Sequence, residues 1–169
     1  MIATLPAGRV ACGIRRPPPG EEHGHGSLVT PVGVAKRGGL VVYLTSTPFQ
    51  LAPFLLKSLR DAGFPEGPVF LRWLGIKRFG HKWRMLHRIL SNLDNQRVFL
   101  IGDSGEQDLQ IYRRICDTEA FREKIAKVLI RHVPGTPLPA LVDSREALYS
   151  NLTELREHLA ELLNEPEAP

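Results

Sequence analysis

The sequence predicts an α/β fold built on a buried parallel sheet, and three observations predict it. Residues 40–44 (LVVYL) and 98–101 (VFLI) are continuous apolar runs between polar boundaries, the pattern of strands covered on both faces. Each run breaks into a polar turn, Thr45-Ser46-Thr47 after the first and the glycine-rich stretch 102–108 (GDSGEQD) after the second. Segments of helical periodicity stand between and after the runs. In open α/β sheets ligands sit outside the carboxyl ends of the strands, so the two turns form the candidate functional end.

The chain of 169 residues is the size of one domain, and 43% apolar with 24% charged residues is ordinary globular composition. A net charge of +4 and a pI near 9.3 favour approach to anionic partners such as phosphate esters or acidic lipid surfaces; a dedicated nucleic-acid partner is not expected. Cys12 and Cys116 lie far apart and form no CxxC pair, so neither a disulfide framework nor a zinc site is indicated, and a cytoplasmic location fits. No apolar run reaches the length needed to span a bilayer, and the opening MIATLPAGRVACGIRR has too short an apolar segment for a secretory signal.

In chain order, residues 1–38 are expected to be disordered or unrelated to the rest. Pro17, Pro18, Pro19 and Gly20 precede an acidic pair and a His-Gly-His-Gly tract, a composition that buries too little surface to order itself. His23 and His25 are metal-ligand types, but in such a segment they read as tail. The organised unit spans residues 39–133. After the strand at 40–44, Thr47-Pro48-Phe49-Gln50 has capping-box form. It opens a helix to about Ala62 with a stripe of Leu51, Phe54, Leu55 and Leu59; Pro53 argues for a later start, and Gly63 stops it. Residues 64–68 form a turn and 69–71 a short strand. Residues 72–80 interleave Arg72, Lys77 and Arg78 with Trp73 and Phe79, as a loop with snorkelling cations does. A helix over residues 82–93 turns Met85, Leu86, Ile89, Leu90 and Leu93 inward, and Lys82 near its start is unfavourable to the dipole unless an anion lies close. A helix at 109–116, a strand at 128–133, a proline-rich connector at 134–142 and a carboxyl-terminal amphipathic helix at 143–165 complete the chain. Asp143 and Glu146 would cap that last helix, and Leu148, Leu152, Leu155, Leu159 and Leu162 form its stripe.

The turn at 102–108 carries Asp103, Glu106 and Asp108. Two carboxylates five positions apart suit Mg²⁺, which takes one or two carboxylates and fills its shell with water and phosphate oxygens. The competing reading is a solvated turn, since Asp, Ser and Gly after a strand are ordinary turn residues. A third reading makes Ser104 the nucleophile of a serine esterase, which requires a histidine base and an orienting acid that the sequence does not supply in recognisable context.

Taken together and in order, YLTSTPFQL (43–51), GFPEGPVFLR (63–72), Lys82 and VFLIGDSGEQDLQIY (98–112) resemble the catalytic domain of the phosphatidate phosphatases of the yeast actin-patch type. The resemblance covers residues from about Pro31 to Val133. That family belongs to the haloacid dehalogenase superfamily of Mg²⁺-dependent aspartyl phosphatases. The resemblance implies a Rossmann-like parallel sheet, a phosphate monoester as substrate (phosphatidate at a membrane surface), and a cytoplasmic or membrane-peripheral location. It also implies roles. Thr45, or in second place its neighbour Ser46, matches the hydroxyl that binds the phosphoryl group. Lys82 matches the lysine that neutralises nucleophile and phosphate, and Asp103 and Asp108 match the acids that hold Mg²⁺.

One part of the family pattern is absent. The family attacks phosphate with the first aspartate of an Asp-x-Asp loop placed upstream of the threonine motif, and this sequence contains no Asp-x-Asp; its first aspartate is Asp61. The family's strand-end acid is also changed, to His132 in Ile130-Arg131-His132-Val133. The chain is therefore expected to be an amino-terminally truncated phosphatase domain missing its nucleophile-bearing central strand and inactive alone. Two apolar strand edges would be left unpaired. The alternative is a non-catalytic protein that still binds Mg²⁺ or phosphate.

Overall fold

In a computed structural model, residues 2–5, 10–12, 39–73, 78–93 and 96–164 are described. The elements are β1 (Ile2–Leu5), β2 (Val10–Cys12), β3 (Leu40–Pro48), a 3₁₀ turn (Phe49–Leu51), α1 (Ala52–Asp61), β4 (Val69–Arg72), α2 (Arg78–Ser91) and β5 (Arg97–Asp103), then α3 (Asp108–Cys116), α4 (Glu119–Arg122), β6 (Ile125–Arg131), β7 (Glu146–Tyr149) and α5 (Leu152–Asn164). Among the described residues seven strands form one sheet, in the order β4-β3-β2-β1-β5-β6-β7. β2, β3 and β4 are mutually parallel, as are β5, β6 and β7; β1 runs antiparallel to both its neighbours. The architecture is Rossmann-like α/β, and the carboxyl ends of β3, β4, β5, β6 and β7 share one edge.

The apolar runs explain the centre of this sheet. Val41 to Leu44 and Val98 to Ile101 are buried throughout, as are Val128, Leu129 and Ile130 of β6. Side chains on both pleats are then out of water, and each fully buried Val, Leu or Ile contributes roughly 2 kcal/mol. α2 packs on β3 and against α3, which lies on β5 and β6; α5 packs on β7. The inward stripes are Leu86 and Leu90 on α2, Ile111 and Ile115 on α3, and Leu155 and Leu159 on α5.

Several expectations need correction. The segment 1–38 was expected to be disordered, yet β1 and β2 stand in the sheet, paired with β5 and β3. They fill the gap between those strands, so the two edges expected to lie open are paired. Backbone pairing supplies what the sparse apolar content of the segment does not. The metal-ligand types His23 and His25 lie outside the described residues.

The capping box expected at Thr47 does not form. β3 continues through Pro48, the Thr47 amide donates to Thr45 Oγ1 (3.1 Å), and the 3₁₀ turn precedes α1, where Pro53 sits in the first turn. The stop at Gly63 has a clear cause. Its φ is +69°, its amide donates to Arg60 O and that of Phe64 to Leu59 O, the paired bonds of a Schellman cap. α2 begins at Arg78, a turn earlier than expected, and Lys124 closes its other end by donating to Leu90 O and Leu93 O.

The largest correction is at residues 143–151. A helix was expected to open there under an Asp143/Glu146 cap, but residues 146–149 form β7, parallel to β6. Glu146 is buried and held by Arg113 instead of capping a helix. The operative capping box lies further on: Asn151 Oδ1 accepts from the amides of Thr153 and Glu154, and Glu154 accepts from the Ser150 amide. Leu148 matched the leucine spacing by coincidence of register, since it belongs to the strand.

Candidate functional site

Four elements converge where β3 and β5 end. Ser46 is buried near the end of β3. Lys82 is buried in α2, on the same stripe as Leu86 one turn later. β5 ends at buried Asp103, residues 104–107 turn, and buried Asp108 opens α3. A carboxylate in the first turn of a helix is favoured by the dipole.

Lys82 is the hub. Its Nζ donates to Asp108 Oδ1 at 2.5 Å and to Glu106 Oε2 at 2.8 Å. Ser46 Oγ donates to the same Glu106 oxygen at 3.4 Å, a longer contact. Burial works to lower the lysine's pKa, but the charges and hydrogen bonds of Asp108 and Glu106 outweigh it and raise the pKa above its ordinary value. The dipole penalty noted for Lys82 thus has its anions. Asp103 Oδ1 accepts from the Gly105 amide at 2.8 Å, an Asx turn that fixes the loop. Tyr112 of α3 donates its hydroxyl to Ile101 O, which ties the helix start to the end of β5.

Close packing holds Asp108 in place. A Cβ built on Gly102 would lie 2.6 Å from Asp108 Cβ and 2.9 Å from Tyr112 Cε2. Gly102→Ala is therefore expected to push α3 away from β5 and cost about 2 kcal/mol. Denaturant unfolding measures this, and an unchanged midpoint would mean that the helix start yields freely.

Ser104 behaves as a structural residue. Thr136 Oγ1 donates to Val133 O, so the 2.7 Å contact between Ser104 and Thr136 uses the serine proton, and Ser104 Oγ accepts from the Val133 amide at 2.9 Å. No histidine contacts it among the described residues. His132 donates its amide to Tyr149 O, and its Nδ1 is buried without a partner.

The site residues expected from the sequence fall into two groups. Lys82 and Asp108 meet directly, Ser46 joins them only through Glu106, and Asp103 stands at the start of the same loop. The Thr45 hydroxyl is turned instead onto Thr47 Oγ1 at 2.9 Å. Glu106, given no role from the sequence, is a principal partner of Lys82. The detectable signal was Lys82 itself, a lysine on the apolar stripe of its helix, which requires a buried counterion.

Among the described residues no group of three or more His, Cys, Asp or Glu side chains forms a preformed cation cage. Two buried carboxylates on a fixed loop suit a cation that completes its shell with water and phosphate oxygens. Beside Glu106 opens a cleft of about 250 Å³, lined on its far wall by Leu109, Arg113, Pro137, Pro139 and Val142.

A mostly parallel sheet with buried polar side chains gathered at its carboxyl edge defines the class as Rossmann-like α/β, in which ligands are taken at that edge. The particular family follows from comparison: residues 27–132 match the family model described as Phosphatidate phosphatase APP1, catalytic domain, and the chain belongs to that family. The match begins inside the segment expected to be unrelated. An uncharacterized protein of Schizosaccharomyces pombe is 32% identical over 101 residues, covering 55% of this chain and 16% of the relative. Phosphatidate phosphatase APP1 of Saccharomyces cerevisiae is 33% identical over 78 residues, covering 41% of this chain and 13% of the relative. The chain thus spans less than a fifth of either curated relative. No solved structure matches it.

Proposed function

We propose that this chain carries the metal- and phosphate-binding part of a Mg²⁺-dependent phosphatase domain of the haloacid dehalogenase type, acting on phosphate monoesters of the phosphatidate kind. The observation that carries the reading is Lys82, buried between Asp108 and Glu106 beside Ser46 at the sheet's carboxyl edge. Phosphoryl groups are bound by positive charge and fixed donors around their oxygens. Lys82 supplies the charge and the Ser46 hydroxyl a donor; Thr45 serves if its bond to Thr47 opens. Asp103 and Asp108 would hold Mg²⁺, which when bound neutralises charge on the phosphoryl oxygens.

The part that attacks phosphorus is absent from this sequence. The two strands between β3 and β5, β2 (Val10-Ala11-Cys12) and β1 (Ile2-Ala3-Thr4-Leu5), bear no carboxylate. The chain binds without turning over by the family mechanism. A cytoplasmic, membrane-peripheral location accompanies this reading.

The test is the unfolding temperature of the purified chain with Mg²⁺ and orthophosphate, beside phosphate release from a short-chain phosphatidate. Stabilisation by the pair of ligands is expected, lost in Asp108→Asn and kept in Asp61→Asn, with no release. Absence of stabilisation in the wild type would overturn the binding site, and Mg²⁺-dependent release would overturn the lack of turnover.

A further inference from the structure

The carboxyl ends of β5, β6 and β7 set three polar side chains in one row. Asp103 pairs with Arg131, and Arg131 with Tyr149, in the parallel register of the sheet. Residues in register on parallel strands share a face, so the three stand side by side at strand spacings of about 4.8 Å. Two residues earlier on each strand, Ile101, Leu129 and Ala147 form a row on the same face, and all three are buried. The polar row thus closes an apolar layer at its upper end.

This row lies on the face of the sheet opposite to Lys82. A Cβ on Gly102 would meet Asp108 and Tyr112, so Gly102 faces α3, and the alternation of the strand turns Asp103 to the other face. Lys82 reaches Asp108 from α2, which packs against α3. Lys82 and the Arg131–Tyr149 pair therefore flank the acidic loop from two sides.

Neither Arg131 nor Tyr149 has a partner for its side-chain donors. Arg131 is half-buried, and its guanidinium makes no hydrogen bond or ion pair among the described residues. Tyr149 is 7% exposed, yet no described residue receives its hydroxyl proton. Burial raises the pKa of the phenol, with the charge of Arg131 opposing and those of Asp103 and Asp108 assisting, so the hydroxyl keeps its proton. Buried hydroxyls are as a rule hydrogen-bonded, and a guanidinium has five donors to place. Both groups lack an acceptor, and the acceptor that suits a guanidinium beside a hydroxyl is an oxyanion.

We propose that Arg131 and Tyr149 form an anion subsite at the carboxyl edge, on the face opposite Lys82, that takes a phosphate group. The subsite needs no metal, so it stands apart from the Mg²⁺ site proposed on Asp103 and Asp108. Asp103, one strand away, repels an anion, and binding of free phosphate is accordingly expected to be weak, in the millimolar range.

The test titrates orthophosphate into the isotope-labelled full chain in the presence of EDTA, with chloride holding the ionic strength constant. The Nε–H resonance of Arg131, identified by its absence in Arg131→Gln or, if that variant does not fold, in Arg131→Lys, is expected to move saturably. Tyr149→Phe keeps the buried ring and is expected to weaken the apparent affinity about threefold, the loss of one neutral hydrogen bond. An unchanged pattern of backbone amide resonances verifies that the variant folds. A wild-type resonance that stays still, that moves equally with chloride, or whose affinity Tyr149→Phe leaves untouched would overturn the proposal. A resonance moved by Asp103→Asn and not by phosphate would also overturn it, by assigning the guanidinium to the carboxylate on the neighbouring strand. Phosphate that perturbs only the surroundings of Lys82 would overturn this subsite and leave the proposed function standing.

Discussion

Replacing Lys82 with methionine lowers the stability of the chain by about 3 kcal/mol, the expected cost of stripping the cation from a buried ion pair. The Asp108 side chain is 5% exposed and that of Glu106 is 23% exposed, so neither is fully rehydrated when the ammonium is lost. Methionine keeps the length and apolar stem of lysine, which separates the charge effect from a cavity. Asp108→Asn in the same chain should recover much of the loss, because the uncompensated charge is what destabilises. A double-mutant cycle by urea unfolding then gives a coupling above roughly 1 kcal/mol. Additive losses in that cycle would show that the two side chains do not interact in solution.

The second large effect is expected at Glu146. Its side chain is 2% exposed and receives Arg113 Nε at 2.6 Å, Arg113 Nη2 at 2.7 Å and the Val142 amide at 2.9 Å. Glu146→Gln keeps the shape but removes the charge from a two-pronged bond, at a cost of about 2 kcal/mol near neutral pH. The hydrogen bonds from Arg113 hold the carboxyl below its usual 4.5, against the opposing effect of burial. A depressed carboxylate stabilises the fold fully above its unfolded pKa, and that contribution disappears as pH falls through the folded value. The gap in unfolding temperature between wild type and Glu146→Gln should therefore stay constant above about pH 4.5 and close on further acidification. Asp143, held at about 2 by Arg145, adds a loss of the same sign that extends to lower pH in both proteins. A gap that persists into acid would mean that the carboxylate's charge is not what binds Arg113.

What could be read in the sequence followed from how local the cause was. β3 and β5 each carry an unbroken buried apolar run, residues 41–44 and 98–101, and the stop of α1 is written in Gly63, so each was legible in its own few residues. β7 was hidden because Leu148 stands four positions before Leu152 and imitates a helical stripe, while the bond that makes Glu146 a strand residue comes from Arg113 on α3. β1 and β2 are too short to show a period, and their order comes from the neighbours they pair with. The site divides in the same way. Asp103 and Asp108 announce themselves in a single loop, whereas the bonds from Lys82 to Glu106 and Asp108 join residues 24 and 26 apart in sequence. Whether Ser46 or Thr45 meets that cluster depends on which side of β3 faces α2, a choice that the residue types do not reveal.

The loop bearing Asp103 and Asp108 is braced from its far side. Ser104 is tied to Thr136 and Val133, and Arg113 reaches from α3 to both Glu146 and Ala140 O. The proline-rich stretch at 134–142, which looks in sequence like a mere spacer, is thus the back wall of the acidic loop. Folding has already removed the conformational freedom that an unsupported loop would lose on meeting a ligand. The acids are presented on a rigid surface, so a ligand meeting them would have to fit the loop as it stands.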